Sequence, residues 1–186
     1  MSHPDPDALV FDTGPLRHFA VQGWLRVLDF LSDERAIVIP ESVELELRHQ
    51  SHELPVLNEV LNADWIHTDY GLDLEFSEAF ARYEERLVGQ GGANRGECGV
   101  LALGEVRGFE VVLDDAVARN VANEKGIRVT ATVQLLCEAV RAEKLTVSMV
   151  EQLADDLISG DYYLPFERGE FRRYALENGL IEYQSP

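Results

Sequence analysis

The stretch Phe109-Glu-Val-Val-Leu113-Asp114-Asp115-Ala116-Val-Ala118-Arg119-Asn-Val-Ala122-Asn-Glu124-Lys125-Gly126-Ile127-Arg-Val129-Thr130 decides the fold. Phe109 to Leu113 is short, apolar and rich in valine, with two acids at its carboxyl end, as a buried strand would be. Ala116 to Glu124 reads as a helix, stopped at Gly126, where a residue free to adopt the left-handed conformation ends a helix. Ile127-Arg128-Val129 returns as a short strand and Thr132 to Arg141 as a further helix. Strand, helix and strand in such close succession build a parallel sheet covered by helices.

The same alternation continues toward the N-terminus. Ala8-Leu9-Val10-Phe11 is a buried strand running into the turn Asp12-Thr13-Gly14-Pro15. Helical spacing extends from Leu16 to Leu31 with a break near Gly23. A second β-branched run, Ala36 to Ile39, closes at Pro40. Glu41 to Gln50 carries Val43 and Leu47 on one helical face. A weaker helix spans Leu54 to Leu61, a short strand Trp65 to Thr68, and a charged helix Leu74 to Leu87. Gly89-Gln90-Gly91-Gly92 reads as a loop, after which Asn94 or Arg95 opens a helix bearing Val100, Leu101 and Leu103. Beyond Leu145 the pattern is helical, from Met149 to Ile158 and from Phe166 to Asn178, with a turn at Tyr162-Tyr163. The expected architecture is α/β, with a mainly parallel central sheet flanked by helices over 1–144. Residues 145–186 form a helical extension packed on it.

The chain has 186 residues, of which 46% are hydrophobic, enough for a core without disulfides. Cys98 and Cys137 sit in apolar helical patterns and read as small core residues. No apolar run reaches bilayer length, and the first residues lack the basic and apolar regions of a secretory leader. The expected compartment is therefore the cytoplasm, away from membranes. Charge is the unusual property: 16 basic residues face 34 acidic ones, for a net charge of −18, and Lys125 and Lys144 are the two lysines. Such a surface opposes the binding of a polyanion. Concentrated salt removes the conflict, because at molar ionic strength the Debye length falls to roughly 3 Å. An acidic, lysine-poor surface also suits solubility in brine. The competing explanation is a basic protein partner. If the surface is a halophilic adaptation, the unfolding temperature rises as KCl goes from dilute to multimolar. A flat or falling curve leaves the basic partner.

In an open α/β sheet, chemistry collects at the carboxyl ends of the strands. Asp12 and the pair Asp114-Asp115 fall there. Each follows an apolar run, where an unpaired charge is costly. Either aspartate of the pair could equally be the cap of the next helix. Glu46 lies on the helix after the second strand, and Glu97 in the first turn of the helix after the glycine-rich loop. Glu44 reads as ordinary solvent-facing surface. Hard divalent cations such as Mg²⁺ or Mn²⁺ prefer carboxylate oxygens and also bind phosphate.

Other chemistries fit less well. Asp12-Thr13-Gly14 spells the aspartic-protease triplet, but no second copy exists and the fold is not β-rich. Gly14 stands where an aspartyl-phosphate phosphatase needs its second aspartate. His49 and His52 are the one histidine pair at a helical, metal-binding spacing but read as exposed rather than zinc-bound, and the glycine-rich loop lacks the lysine of a phosphate loop.

Four segments, taken together, resemble the PIN-domain family of ribonucleases. They are Val-Phe-Asp12-Thr13-Gly-Pro-Leu16, Ile39-Pro40-Glu-Ser-Val43-Glu-Leu-Glu46-Leu47, Arg95-Gly96-Glu97-Cys-Gly-Val-Leu-Ala-Leu, and Leu113-Asp114-Asp115-Ala-Val-Ala118-Arg119 through Gly126 to Thr132. The resemblance covers most of residues 8 to 142. It implies a Rossmann-like PIN fold and an endoribonuclease that uses Mg²⁺ or Mn²⁺. Asp12, Glu46, Glu97 and Asp114 match the family's acids, with Asp115 an alternative to Asp114. Thr13 matches the hydroxyl residue after the first acid. The family includes toxins of toxin–antitoxin pairs, so RNA is the implied substrate, an antitoxin or other basic protein an implied partner, and a homodimer compatible. A PIN-fold module that binds nucleic acid or protein without cleaving is the alternative. Arg95 and Arg119 lie beside these acids, where they would either contact phosphate or brace the carboxylates.

Overall fold

The computed structural model describes residues 7–32, 35–87 and 94–182. Five short strands form one parallel sheet in the order β3-β2-β1-β4-β5. They are β1 (Leu9–Phe11), β2 (Ile37–Pro40), β3 (Ile66–Asp69), β4 (Glu110–Val112) and β5 (Val129–Thr130). β1 and β4 are paired through Val10 and Val111, whereas β1 and β2 are paired through Val10 and Val38. The chain thus winds outward in one direction from β1 to β3, then returns to the other side of β1 at β4. That reversal is the topological switch point, where such sheets open a crevice at their carboxyl ends.

Helices cover the sheet as the periodicity requires. α1 (Thr13–Val21) and α2 (Leu25–Leu31) are separated near Gly23. α3 (Glu41–Gln50) follows β2 directly, and α4 (Asn58–Leu61) follows a tight turn at Pro55–Leu57. α5 (Leu74–Leu87) is the charged helix. The glycine-rich loop expected at Gly89 to Gly92 lies outside the described residues. α6 (Arg95–Arg107) buries Cys98 through Gly104, too continuous an apolar stretch for an amphipathic surface helix, because it runs between α3, α5 and the sheet. Gly99 permits the approach, since a methyl there would stand 2.8 Å from Pro40 Cβ. α7 (Ala116–Glu124) and α8 (Thr132–Arg141) complete the unit read first in the sequence. Burial pushes the thiols of Cys98 and Cys137 up to about 12 and about 11, which keeps them inert in the core.

α9 (Val147–Ser159) and α10 (Phe171–Glu177) follow. α9 begins at Thr146, whose hydroxyl accepts from the Met149 amide at 3.2 Å. Trp24 Nε1 donates to Asp156 at 3.0 Å, and Leu153, Leu157 and Phe171 are buried. The last helix begins later than its apolar spacing suggests. Gly169 takes the left-handed conformation at φ 76°, so the path from Phe166 to Glu170 is not helical.

Candidate active site

The switch point gathers the acids from separate elements. Asp12 directly follows β1, and Asp114 lies just past β4, its neighbour in the sheet. Glu46 projects from α3. Glu97 occupies the first turn of α6, while Asp115 immediately precedes α7. The amino ends of α1, α6 and α7 each meet one of these acids. An aligned helix dipole stabilises a carboxylate there by roughly 0.3–1 kcal/mol, a partial offset to their mutual repulsion.

Glu46 is held at both oxygens. Thr13 donates its hydroxyl to Oε2 at 2.6 Å, and the Gly96 amide donates to Oε1 at 2.9 Å. Gly96 does more than donate. A methyl group there would stand 2.8 Å from Asp12 Oδ1 and 3.0 Å from Glu46 Oε2, so α6 presses its first turn against both carboxylates. Burial pushes the Asp12 carboxyl up to about 7, with the charges of Glu97 and Glu46 adding to it and the nearby amides of Thr13 and Gly14 opposing. Glu97 is also raised, first by burial and then by Glu46 and Asp115. These carboxylates are crowded and short of positive charge.

The two aspartates after β4 have separate surroundings. Asp115 caps α7, its Oδ1 accepting from the Ala118 amide at 2.8 Å. Asp114 turns to α8 and the C-terminal segment. Its Oδ1 accepts from the Thr132 amide at 2.9 Å, and its Oδ2 from the Thr132 hydroxyl at 2.6 Å and from the Tyr162 hydroxyl. Tyr162 is 8% exposed, its ring stands 4.8 Å from that of His18, and its hydroxyl lies 3.0 Å from Thr132 Oγ1. Burial, then Asp114, raise its phenol well above the ordinary tyrosine value. Sequence reading placed Tyr162 in a turn and gave it no part in the site. An aromatic in a turn between helices carries no signal of a contact 48 residues away.

The cations beside the acids are differently engaged than their sequence positions suggest. Arg119 donates to the backbone carbonyls of Asp114 at 2.6 Å and Leu113 at 3.5 Å, bracing the turn rather than a carboxylate. Arg95 pairs with Glu84 on α5 at 3.1 Å and lies over the Phe80 ring. Glu44 departs from its expected place on the open surface. Its side chain is 16% exposed and pairs with Arg48 at 2.5 Å. Burial works against its charge, but Arg48, Thr68 and Tyr70 together outweigh this and hold the carboxyl below the usual range.

Among the described residues, no three His, Cys, Asp or Glu side chains stand close enough to hold a metal ion as they are placed. Asp12 and Glu46 flank the same glycine, with Glu97 coupled to both by charge. An all-carboxylate donor set and a buried acid held half-protonated near neutral pH fit a hard divalent cation, which would relieve the repulsion.

Residues 8–170 match the family profile described as PIN domain. No curated protein and no solved structure matches the chain. The match extends beyond the four sequence segments to take in α9 and Tyr162.

Proposed function

The chain belongs to the PIN-domain family, and from that premise we propose that it is a divalent-metal-dependent endoribonuclease acting in the cytoplasm. PIN domains are generally nucleases and commonly use divalent metals. The observation that carries the reading for this chain is the crowding of Asp12 and Glu46 against Gly96, with Asp12 pushed up to about 7. Asp12, Glu46 and Glu97 would hold the ion, with Asp115 beside Glu97. Mg²⁺ or Mn²⁺ bound there would supply Lewis acidity, making water more acidic and neutralising charge that develops on phosphate oxygens. The chain's own residues fix the carboxylates. Thr13 and the Gly96 amide orient both oxygens of Glu46, and Arg119 holds the turn that carries Asp114. Tyr162 and Thr132 fix Asp114 itself.

Cleavage of end-labelled structured and single-stranded RNAs tests the proposal, with Mg²⁺, Mn²⁺ or EDTA at low and molar KCl. Metal-dependent cleavage is expected, and a wild-type protein inactive in every condition overturns it. Gly96→Ala supplies a geometric test. Its methyl must displace Asp12 or Glu46, so cleavage falls about a hundredfold, in line with the cost of small misplacements in a catalytic group. Melting curves should show the variant folded, since alanine favours a helix over glycine.

The second reading is a PIN-fold module that binds nucleic acid or protein without cleaving, and the net charge of −18 favours its basic-protein form. A toxin partnered by a basic antitoxin would instead reconcile the ribonuclease reading with the acidic surface. An inactive wild type that still binds RNA or a basic peptide would select the non-cleaving module. Among the described residues, no helix is long and apolar enough to cross a membrane.

A further inference from the structure

A cavity of about 690 Å³ opens between α3 and α5 and shares Glu46 with the acidic site. Its size is that of pockets which enclose small organic ligands. Leu45, Tyr70, Phe76 and Phe80 supply apolar and aromatic wall, and Arg95 stands over Phe80, 5.6 Å from its ring centroid. Leu45 is 56% exposed and Tyr70 51% exposed, so neither is needed to close the core. Polar wall is supplied by residues that include Glu41, His49 and Glu84.

We propose that this cavity is a nucleobase subsite, receiving an unpaired base next to the phosphate that is cut. The proposal rests on the ribonuclease reading, and three observations carry it further. Any substrate placed at Glu46 must run past or into the cavity, because Glu46 belongs to both. A chain of net charge −18 draws little affinity from phosphates, so its binding free energy must come from contacts that ignore charge. Base stacking on aromatic rings is such a contact, at about 1–3 kcal/mol per base. The lining carboxylates also discriminate. They repel phosphate but accept from exocyclic amino groups, as on cytosine N4, and uracil offers none. The subsite therefore takes an amino-bearing base of single-stranded RNA.

The test uses full-length protein in EDTA, where cleavage stops, and fluorescein-labelled hexamers of adenosine, cytidine or uridine followed by anisotropy. Oligo-A and oligo-C are expected to bind at least about tenfold more tightly than oligo-U. The logarithmic salt dependence should have a slope shallower than about −1, since Arg95 is the cation in the wall. Tyr70→Ala should weaken oligo-A binding about five- to a hundredfold, and Leu45→Ala less, whereas Tyr70→Phe keeps the ring and retains binding. Equal binding by wild type and Tyr70→Ala overturns the subsite, and so does equal affinity for all three hexamers. Displacement of oligo-A neither by AMP nor by CMP overturns it too. A wild-type dimer that Leu45→Arg converts to monomer assigns the cavity to a second copy. Deca-arginine binding lost in Tyr70→Ala while RNA binding stays assigns it to a basic protein. Both overturn the proposal. Metal-dependent cleavage by wild type separates these failures from failure of the ribonuclease reading, which would leave no cleavage at all.

Discussion

Asp12→Asn is expected to abolish metal-dependent RNA cleavage and, at the same time, to stabilise the metal-free protein above neutral pH. The two effects have one cause. Asparagine keeps the shape of the side chain but removes a full negative charge from a site where burial, Glu97 and Glu46 all disfavour it. The folded-state value of about 7 lies above the ordinary 3.8, so the folded protein holds this proton more tightly than the unfolded chain. The stability linked to it is fully present below pH 4 and is lost as pH rises through 7. Wild type and Asp12→Asn should therefore melt alike near pH 4 and diverge between pH 5 and 7. Above that the variant leads by about 2–4 kcal/mol, or roughly 5–10 °C for a chain of this length. Added Mn²⁺ should reverse the order, because wild type gains ligand-linked stability that the variant has lost. Cleavage should fall at least about a thousandfold, since a ligand charge worth several kcal/mol of transition-state stabilisation is gone. Glu59→Gln, exposed on α4, is the control and should match wild type in both assays. Full activity in Asp12→Asn would sink the nuclease mechanism.

Much of this site was legible in the sequence because its signals are local. An apolar run ending in an acid places Asp12 and Asp114 at strand ends, and the bounds of α3, α5, α7 and α8 follow from helical spacing and stop signals. The Val43-x-x-Glu46-Leu47 pattern selects Glu46 over Glu44 through its resemblance to the PIN-domain family, and residues two apart on a helix point to opposite sides. That reasoning gives the side but not what covers it. β3 extends the sheet beyond β2, so the side of α3 opposite Glu46 is enclosed and Glu44 is half-buried with Arg48. Arg95 was legible as a cation near Glu97, but not its partner Glu84, which depends on how α5 packs along α6. Asp114 and Asp115 could not be separated by pattern at all. Their roles divide by the direction of one turn, with one capping α7 and the other facing α8.

That division makes Asp114→Asn the opposite of Asp12→Asn. Asp114 is not a carboxylate starved of donors. Three converge on it, the amide and hydroxyl of Thr132 and the buried hydroxyl of Tyr162. An amide in its place keeps one acceptor oxygen and sets an NH₂ group against groups that were donating, so charge-assisted bonds become neutral or are lost. The variant should lose about 1–3 kcal/mol of stability in the absence of metal, at a pH where Asp12→Asn gains. Tyr162→Phe removes one of the three donors and should cost about 1 kcal/mol, with Thr132 still bound. In both variants hydrogen exchange should quicken around Tyr162 and the end of α9, because the bond that ties this segment to the sheet is weakened. Mn²⁺ affinity then separates anchor from ligand. If Asp114 anchors, Tyr162→Phe and Asp114→Asn lower the affinity by similar modest factors, whereas Asp12→Asn lowers it far more. If Asp114→Asn instead stabilises the metal-free protein, its carboxylate belongs with the repelling acids and the Tyr162 contact is incidental to the site.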